Sequence, residues 1–258
     1  MKYTYAELAK MIDHSLLHPT MTDAELEAGC RLAARYDVAS VCIKPYAVQQ
    51  AVEWLRGSAV KVGAVIGFPH GNSATESKRY ETELACRDGA AEIDMVINHG
   101  KALGGDWDYV EHDVRAVCEE AHARGAIVKV IFENDYLHGD EIKVQLCRVC
   151  ERAGADFVKT SSGYGFVKQP DGGYNSQGAT AHDLALMRAN TSPRVQVKAA
   201  GGVRDLDGLI KVRDLGGTRC GATATAAMLD EYRRRAAAEQ AGQNAAPAAD
   251  GALGAGGY

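Results

Sequence analysis

Four ionisable side chains stand where the sequence otherwise reads as apolar strand. Asp94 lies in Glu92-Ile93-Asp94-Met95-Val96-Ile97 and Lys129 in Val128-Lys129-Val130-Ile131. Lys159 lies in Phe157-Val158-Lys159-Thr160 and Lys198 in Val197-Lys198-Ala199-Ala200. Their separations are 35, 30 and 39 residues, each about one strand-plus-helix unit, which predicts equivalent places on four consecutive strands. A buried charge must be paired or hydrogen-bonded, so one acid among three lysines implies an organised cluster. A lysine that is partly desolvated and close to another ammonium gives up its proton more easily, and its free amine can then attack a carbonyl carbon. The iminium so formed is an electron sink for making or breaking a carbon–carbon bond, with Asp94 moving protons directly or through water. That is the chemistry of a Schiff-base aldolase. The plainer reading is an ion-pair network that only tolerates burial, and it weighs most for Lys129. Residue type alone does not choose between Lys159 and Lys198 as the nucleophile.

Glycine-rich turns accompany these runs. Gly201-Gly202-Val203-Arg204 follows the Lys198 run, Gly221-Ala222-Thr223 closes the last candidate strand, and Gly163 comes shortly after Lys159. Backbone N–H groups in such turns, with a helix N-terminus behind them, bind phosphate, and Arg204 adds a positive charge. An ordinary strand-to-helix turn would explain any one of these glycines. Beside a strand lysine they predict a phosphate site built from Gly163, Gly201, Gly202, Arg204, Gly221 and Thr223.

These residues need strands to hold them. Short β-branched runs at 11–14 (the weakest), 38–43, 60–67, 91–97, 126–132, 155–160, 195–199 and 218–222 suit strands buried on both faces. Helix signals fall between them. Thr22 with Glu25 and Ser73 with Glu76 have capping-box spacing, Pro45 suits a first helical position, and Asp205 suits a helix cap. Gly57, Gly89, Gly125, Gly154 and Gly216 stand where left-handed helix ends are expected. Eight such units match a single-domain (β/α)₈ TIM barrel over residues 1–234. A doubly wound open sheet is the rival, weakened because no G-x-G-x-x-G follows the first long strand. Residues 235–258 are mostly Ala, Gly, Gln, Asn and Pro and read as a flexible tail, ending in the aromatic Tyr258.

Composition narrows the function classes. The 258 residues are 46% hydrophobic and 24% charged, with a net charge of −5, which disfavours nucleic acid or an anionic membrane as partner. No apolar run approaches the ~18 residues of a membrane span, and the N-terminus lacks a signal peptide's apolar stretch. Seven cysteines in a chain too long to need crosslinks fit a reducing cytoplasm. Cys147-x-x-Cys150 lies in a helical run without a second pair and reads as packing, as does Cys42, although its place near the barrel interior could expose it to an aldehyde. The histidines show no ligand spacing, so neither metal nor other cofactor is expected.

The same segments resemble the deoxyribose-phosphate aldolase family. The likeness is carried by Ile12-Asp13-His14-Ser15-Leu16-Leu17, Val41-Cys42-Ile43-Lys44-Pro45, Gly67-Phe68-Pro69-His70-Gly71-Asn72 and the four charged runs above, in order from about residue 10 to 225. The resemblance implies a metal-independent class I aldolase, usually a homodimer, that reversibly cleaves 2-deoxy-D-ribose 5-phosphate to D-glyceraldehyde 3-phosphate and acetaldehyde in deoxyribose phosphate catabolism. It places the Schiff-base lysine on Lys159, the second active-site lysine on Lys198 and the proton-handling aspartate on Asp94. Phosphate contacts fall on Gly163, Gly202, Gly221 and their loops, Lys129 is an accessory candidate, and Tyr258 matches the tail tyrosine of some members. Two positions depart from the pattern: Thr223-Ala224 stands where members often have two serines, and Tyr164 where some have a lysine. The alternatives are a related Schiff-base barrel aldolase for another sugar phosphate, or a catalytically silent sugar-phosphate-binding barrel.

Overall fold

The computed structural model describes residues 1–242; the remainder of the expected tail, Tyr258 included, lies outside the described residues. Its strands are β1 (Ile12–Leu16), β2 (Ser40–Ile43), β3 (Lys61–Ile66), β4 (Glu92–Val96), β5 (Ile127–Ile131), β6 (Phe157–Lys159), β7 (Val167–Lys168), β8 (Tyr174–Asn175), β9 (Gln196–Ala200) and β10 (Arg219–Ala222). All but β7 and β8 close a parallel barrel in the order β1-β10-β9-β6-β5-β4-β3-β2. Closure is made by β1 against β10, with Ile12 opposite Cys220 and Asp13 opposite Gly221. This decides between barrel and open sheet, which alternation of elements leaves open.

The surrounding helices are α1 (Tyr5–Ala9), α2 (Asp23–Tyr36), α3 (Val48–Trp54), α4 (Thr75–Arg87), α5 (His99–Leu103), α6 (Trp107–His122), α7 (Asp140–Ala153), α8 (Ala181–Ala189), α9 (Leu206–Asp214) and α10 (Thr225–Gln240). Among the described residues no helix is long and apolar enough to cross a membrane. Strand side chains alternate between two buried environments. On β4, Ile93 and Met95 join the apolar layer under the helices, while Glu92 and Asp94 meet other charges inside the barrel. Both faces are buried, so the run is apolar except where the interior has a use for charge.

Local signals account for most of the turns. The Thr22 hydroxyl accepts from Glu25 N–H while the Glu25 carboxylate accepts from Thr22 N–H, completing the box that starts α2. Asp205 caps α9 by accepting from Gly208 N–H at 2.7 Å. The five expected helix-end glycines all have positive φ, between 76° and 107°, a region costly for other residues. The Ser73 box does not form: α4 starts one residue later, and its N-cap is Ala74. Two helices rather than one follow β4, and β6 is followed by the small antiparallel hairpin of β7 and β8.

The expected start of the tail needs correction. Helix α10 continues through Arg235 to Gln240, because alanine is the best helix former and Arg235 is anchored. Its guanidinium pairs with Asp207 at 2.6 Å and Glu231 at 2.6 Å. Cys147 and Cys150 pack as free, buried thiols on α7.

Candidate active site

The C-terminal ends of β6, β9 and β10 open into a cavity of about 290 Å³. Lys159, Lys198, Gly163, Gly201, Gly202, Arg204, Gly221 and Thr223 all line it. Gly221 lies directly beside the lysine: a Cβ there would be in van der Waals contact with Ala200 Cβ at 3.4 Å and Lys198 Cε at 3.6 Å. Leu17, Cys42 and Val65, with Phe68 and Tyr164 packed on them, form a separate apolar cluster that reaches the cavity through Leu17 and Cys42. Burial pushes the Cys42 thiol up to about 11, so it is protonated and unreactive near neutral pH.

Asp94 joins the two cavity lysines from beneath. Its Oδ2 accepts from Lys159 Nζ at 2.7 Å and from Lys198 Nζ at 2.7 Å. Its Oδ1 accepts from Lys129 Nζ at 2.8 Å. Lys129 is not at the cavity surface; it also pairs with Glu92 at 2.6 Å and Asp13 at 3.4 Å. The register corrects one expectation here. Lys159 is opposite Lys198, but Lys129 is opposite Phe157 and Ile131 is opposite Lys159. Lys129 therefore stands one inward-facing step below the other two lysines, because linker length does not set strand register.

Three further residues complete the cluster and were not singled out from sequence. Asp13 on β1 pairs with Lys198 at 2.5 Å and with Arg219 of β10. Arg219 also pairs with Glu92 at 2.7 Å. Strand parity was the available signal: Glu92 is two residues before Asp94, and Arg219 two before Gly221.

The charges do not balance. Four bases (Lys129, Lys159, Lys198, Arg219) face three acids (Asp13, Glu92, Asp94) in a space nearly closed to water. An uncompensated buried charge is costly, and the usual relief is loss of a proton. Burial lowers the proton affinity of all three lysines, and neighbours then separate them. For Lys129, Asp13, Asp94 and Glu92 outweigh burial and hold its pKa well above the ordinary value. For Lys198, burial is again overcome, by Asp13 and Asp94, and its pKa rises. For Lys159, burial wins over Asp94, with Lys198 adding to the lowering. Burial opposes the Asp94 charge, but Lys129, Lys159 and Lys198 keep its carboxyl well below the usual carboxylate range. Of the three lysines, Lys159 alone has its proton affinity lowered.

Another corner of the cavity faces the start of α10. Its N-cap, Ala224, offers no side-chain hydrogen bond, which leaves first-turn N–H groups available to an anion. Behind them, buried His14 Nδ1 meets the Thr225 hydroxyl at 2.8 Å, fixing α10 to the outer face of β1. Gly163, Gly201 and Gly202 all have positive φ, at 93°, 84° and 82°.

A closed parallel barrel with two lysines on one buried carboxylate, beneath glycine turns at the strands' C-terminal ends, defines the class as a barrel aldolase, a carbon–carbon lyase. The chain belongs to the DeoC/LacD aldolase family, whose sequence pattern matches residues 8–223. It is 50% identical over 233 residues to a deoxyribose-phosphate aldolase of Rhodopirellula baltica, covering 90% of this chain and 92% of that one. It is 44% identical over 224 residues to a deoxyribose-phosphate aldolase of Clostridium perfringens, covering 87% and 95%. The tetrameric deoxyribose phosphate aldolase of Aeropyrum pernix superimposes with a TM-score of 0.78 at 28% identity, over 89% of this chain and 92% of that one.

Proposed function

We propose that the enzyme cleaves 2-deoxy-D-ribose 5-phosphate reversibly to D-glyceraldehyde 3-phosphate and acetaldehyde, with Lys159 as the Schiff-base nucleophile. The observation that carries this reading is the pair of cavity lysines that share Asp94 Oδ2 at 2.7 Å each, their surroundings shifting proton affinity down at Lys159 and up at Lys198. Lys159 Nζ attacks C1 of the open-chain sugar, and loss of water gives the iminium. The C3 hydroxyl then loses its proton and becomes the aldehyde of the departing triose phosphate. The electrons of the C2–C3 bond pass to the iminium, leaving an enamine. Protonation at C2 and hydrolysis, which returns the water, release acetaldehyde and restore the amine.

Lys198 is the ammonium that supplies protons in these steps, and Asp94 is the acceptor through which they are exchanged. Lys129 remains charged and holds Asp94 in place. The glycine turns and the α10 N-terminus take the phosphate, with Arg204 beside them. No step needs a metal or an organic cofactor.

The test is an assay of 2-deoxyribose 5-phosphate cleavage against other aldose and ketose phosphates. The reading expects acetaldehyde from the deoxy sugar at the highest kcat/KM. A preference for another sugar phosphate would reassign the substrate, and binding without turnover would indicate a silent barrel.

A further inference from the structure

The turn after β5 carries two acids, Glu133 and Asp135, that the carbon–carbon chemistry leaves idle. Glu133 is fully buried and has a left-handed backbone, φ 53°, an outlier of the kind that persists where surrounding structure enforces it. Its Oε2 accepts from the Ser162 N–H at 3.1 Å and also contacts the Ser162 hydroxyl. The Ser162 oxygen in turn accepts from Tyr164 N–H at 2.9 Å, so Gly163 is held between two anchored neighbours. Gly165 has no room for a side chain, because a Cβ there would lie 2.5 Å from the Glu133 carboxyl.

Asp135 grips the other end of the same loop. It accepts from Gln177 N–H at 2.6 Å, from Gly178 N–H at 3.0 Å and from the Ser176 hydroxyl at 3.2 Å. Gly178 lies flat on the glycine turn after β9: a Cβ on it would meet the Gly201 backbone at 2.8 Å. The next residue, Ala179, donates its N–H to the Gly201 carbonyl at 3.1 Å. Gly163 and Gly201, two walls of the cavity, are therefore each tied to a carboxylate from one turn. Full negative charges beside an anion site would repel the anion. Burial pushes Glu133 up to about 7 against the pull of the Ser162 hydrogen bonds, so near neutral pH it carries less than a full charge.

We propose that Glu133 and Asp135 are positioning residues for the substrate's phosphoryl group, fixing Gly163 and Gly201 relative to each other without touching the substrate. The proposal rests on the reading of the glycine turns as the phosphate subsite. The test compares the full-length enzyme with Glu133→Ala and Asp135→Ala, measuring kcat and KM for 2-deoxyribose 5-phosphate and for unphosphorylated 2-deoxyribose, and inhibition by inorganic phosphate. Each alanine variant is expected to lower the ratio of kcat/KM for the phosphorylated over the unphosphorylated sugar about tenfold, through KM, and to weaken phosphate inhibition by a similar factor. Glu133→Gln, which keeps an acceptor for Ser162 N–H, should recover most of that ratio. If an alanine variant fails to fold, Ser162→Ala removes the hydroxyl that links Glu133 to Tyr164 and should shift the ratio in the same direction. A parallel loss on both sugars, with the ratio and phosphate inhibition unmoved, would overturn the positioning role alone. An unmodified enzyme that neither prefers the phosphorylated sugar nor is inhibited by phosphate would overturn the subsite reading beneath it.

Discussion

Two buried lysine clusters in this molecule look alike locally and differ in what they can do. Lys78 on α4 is fully enclosed; its Nζ meets Asp113 of α6 at 2.5 Å and the Val96 carbonyl at 2.9 Å. Thr75 donates to the other oxygen of Asp113 at 2.8 Å. One base faces one acid, every oxygen of that acid has a partner, and no cavity reaches them among the pockets described. Burial lowers the proton affinity of Lys78 just as it does that of Lys159. A lowered pKa therefore does not mark the reactive lysine. The barrel cluster differs in having an excess base and in placing that base at the wall of a cavity. Burial supplies the perturbation; imbalance and access turn it into chemistry.

The most damaging way to break the comparison is to remove the excess base itself. Lys159→Leu should reduce aldol cleavage to background, leaving three acids facing three bases and a stable fold. Lys198→Leu should lower turnover by about 10²–10⁴-fold, the usual contribution of a general acid. It also removes the positive excess, so Lys159 would stay protonated, and the residual rate should climb with pH more steeply than in the unmodified enzyme. A parallel pH profile would refute the charge-balance argument.

The helix-layer pair should respond in stability instead. Lys78→Met leaves Asp113 buried without its partner, at a cost of about 3–5 kcal/mol. Chemical denaturation should show that loss, while kcat per folded molecule remains near that of the parent. If Lys78→Met proved stable but inactive, the division between the two clusters would collapse.

Much of this was legible from the residues. Runs such as Val128-Lys129-Val130-Ile131 announce both a strand and its anomaly, and helix-end glycines announce turns, because each signal is local. What escaped depends on three-dimensional pairing. Asp13 and Arg219 come from opposite ends of the chain and meet only when β1 closes on β10. Glu92 was visible as a charge, but a strand buried on both faces does not declare which residues face inward. The step between Lys129 and Lys159 is a register, which intervening loop length does not encode. Glu133 and Asp135 carry no local signal either, because the loop that hangs from them, through Ser162 and Gln177, follows β6 rather than their own strand.

Smaller effects sharpen the contrast between the two faces of one strand. Asp13 points into the barrel, whereas its neighbour His14 points outward to Thr225. Burial lowers the His14 pKa from 6.5 to about 4. Between those values the unfolded chain binds a proton that the folded protein excludes, so stability is lost as pH falls through this window. His14→Gln should flatten the slope of unfolding free energy there by up to about 1.4 kcal/mol per pH unit. An unchanged slope would show that His14 is not held neutral. Smallest of all is Ala224→Ser. A serine at this N-cap position should stabilise α10 by about 1 kcal/mol by accepting from its first turn. It thereby competes for the N–H groups assigned to phosphate, so a higher melting temperature with no gain in phosphate affinity is expected. A lower KM for the phosphorylated sugar would show the new hydroxyl facing the ligand instead.

The central claim is that Lys159 is the amine left unprotonated by the charge excess. The direct measurement is borohydride trapping of the acetaldehyde adduct across a pH series, with the modified lysine located by peptide mass mapping. The account expects the label on Lys159 alone, with trapping that reaches half its plateau at a pH below 10.5, the ordinary lysine value. Label on Lys198, or a midpoint at or above 10.5, would contradict it.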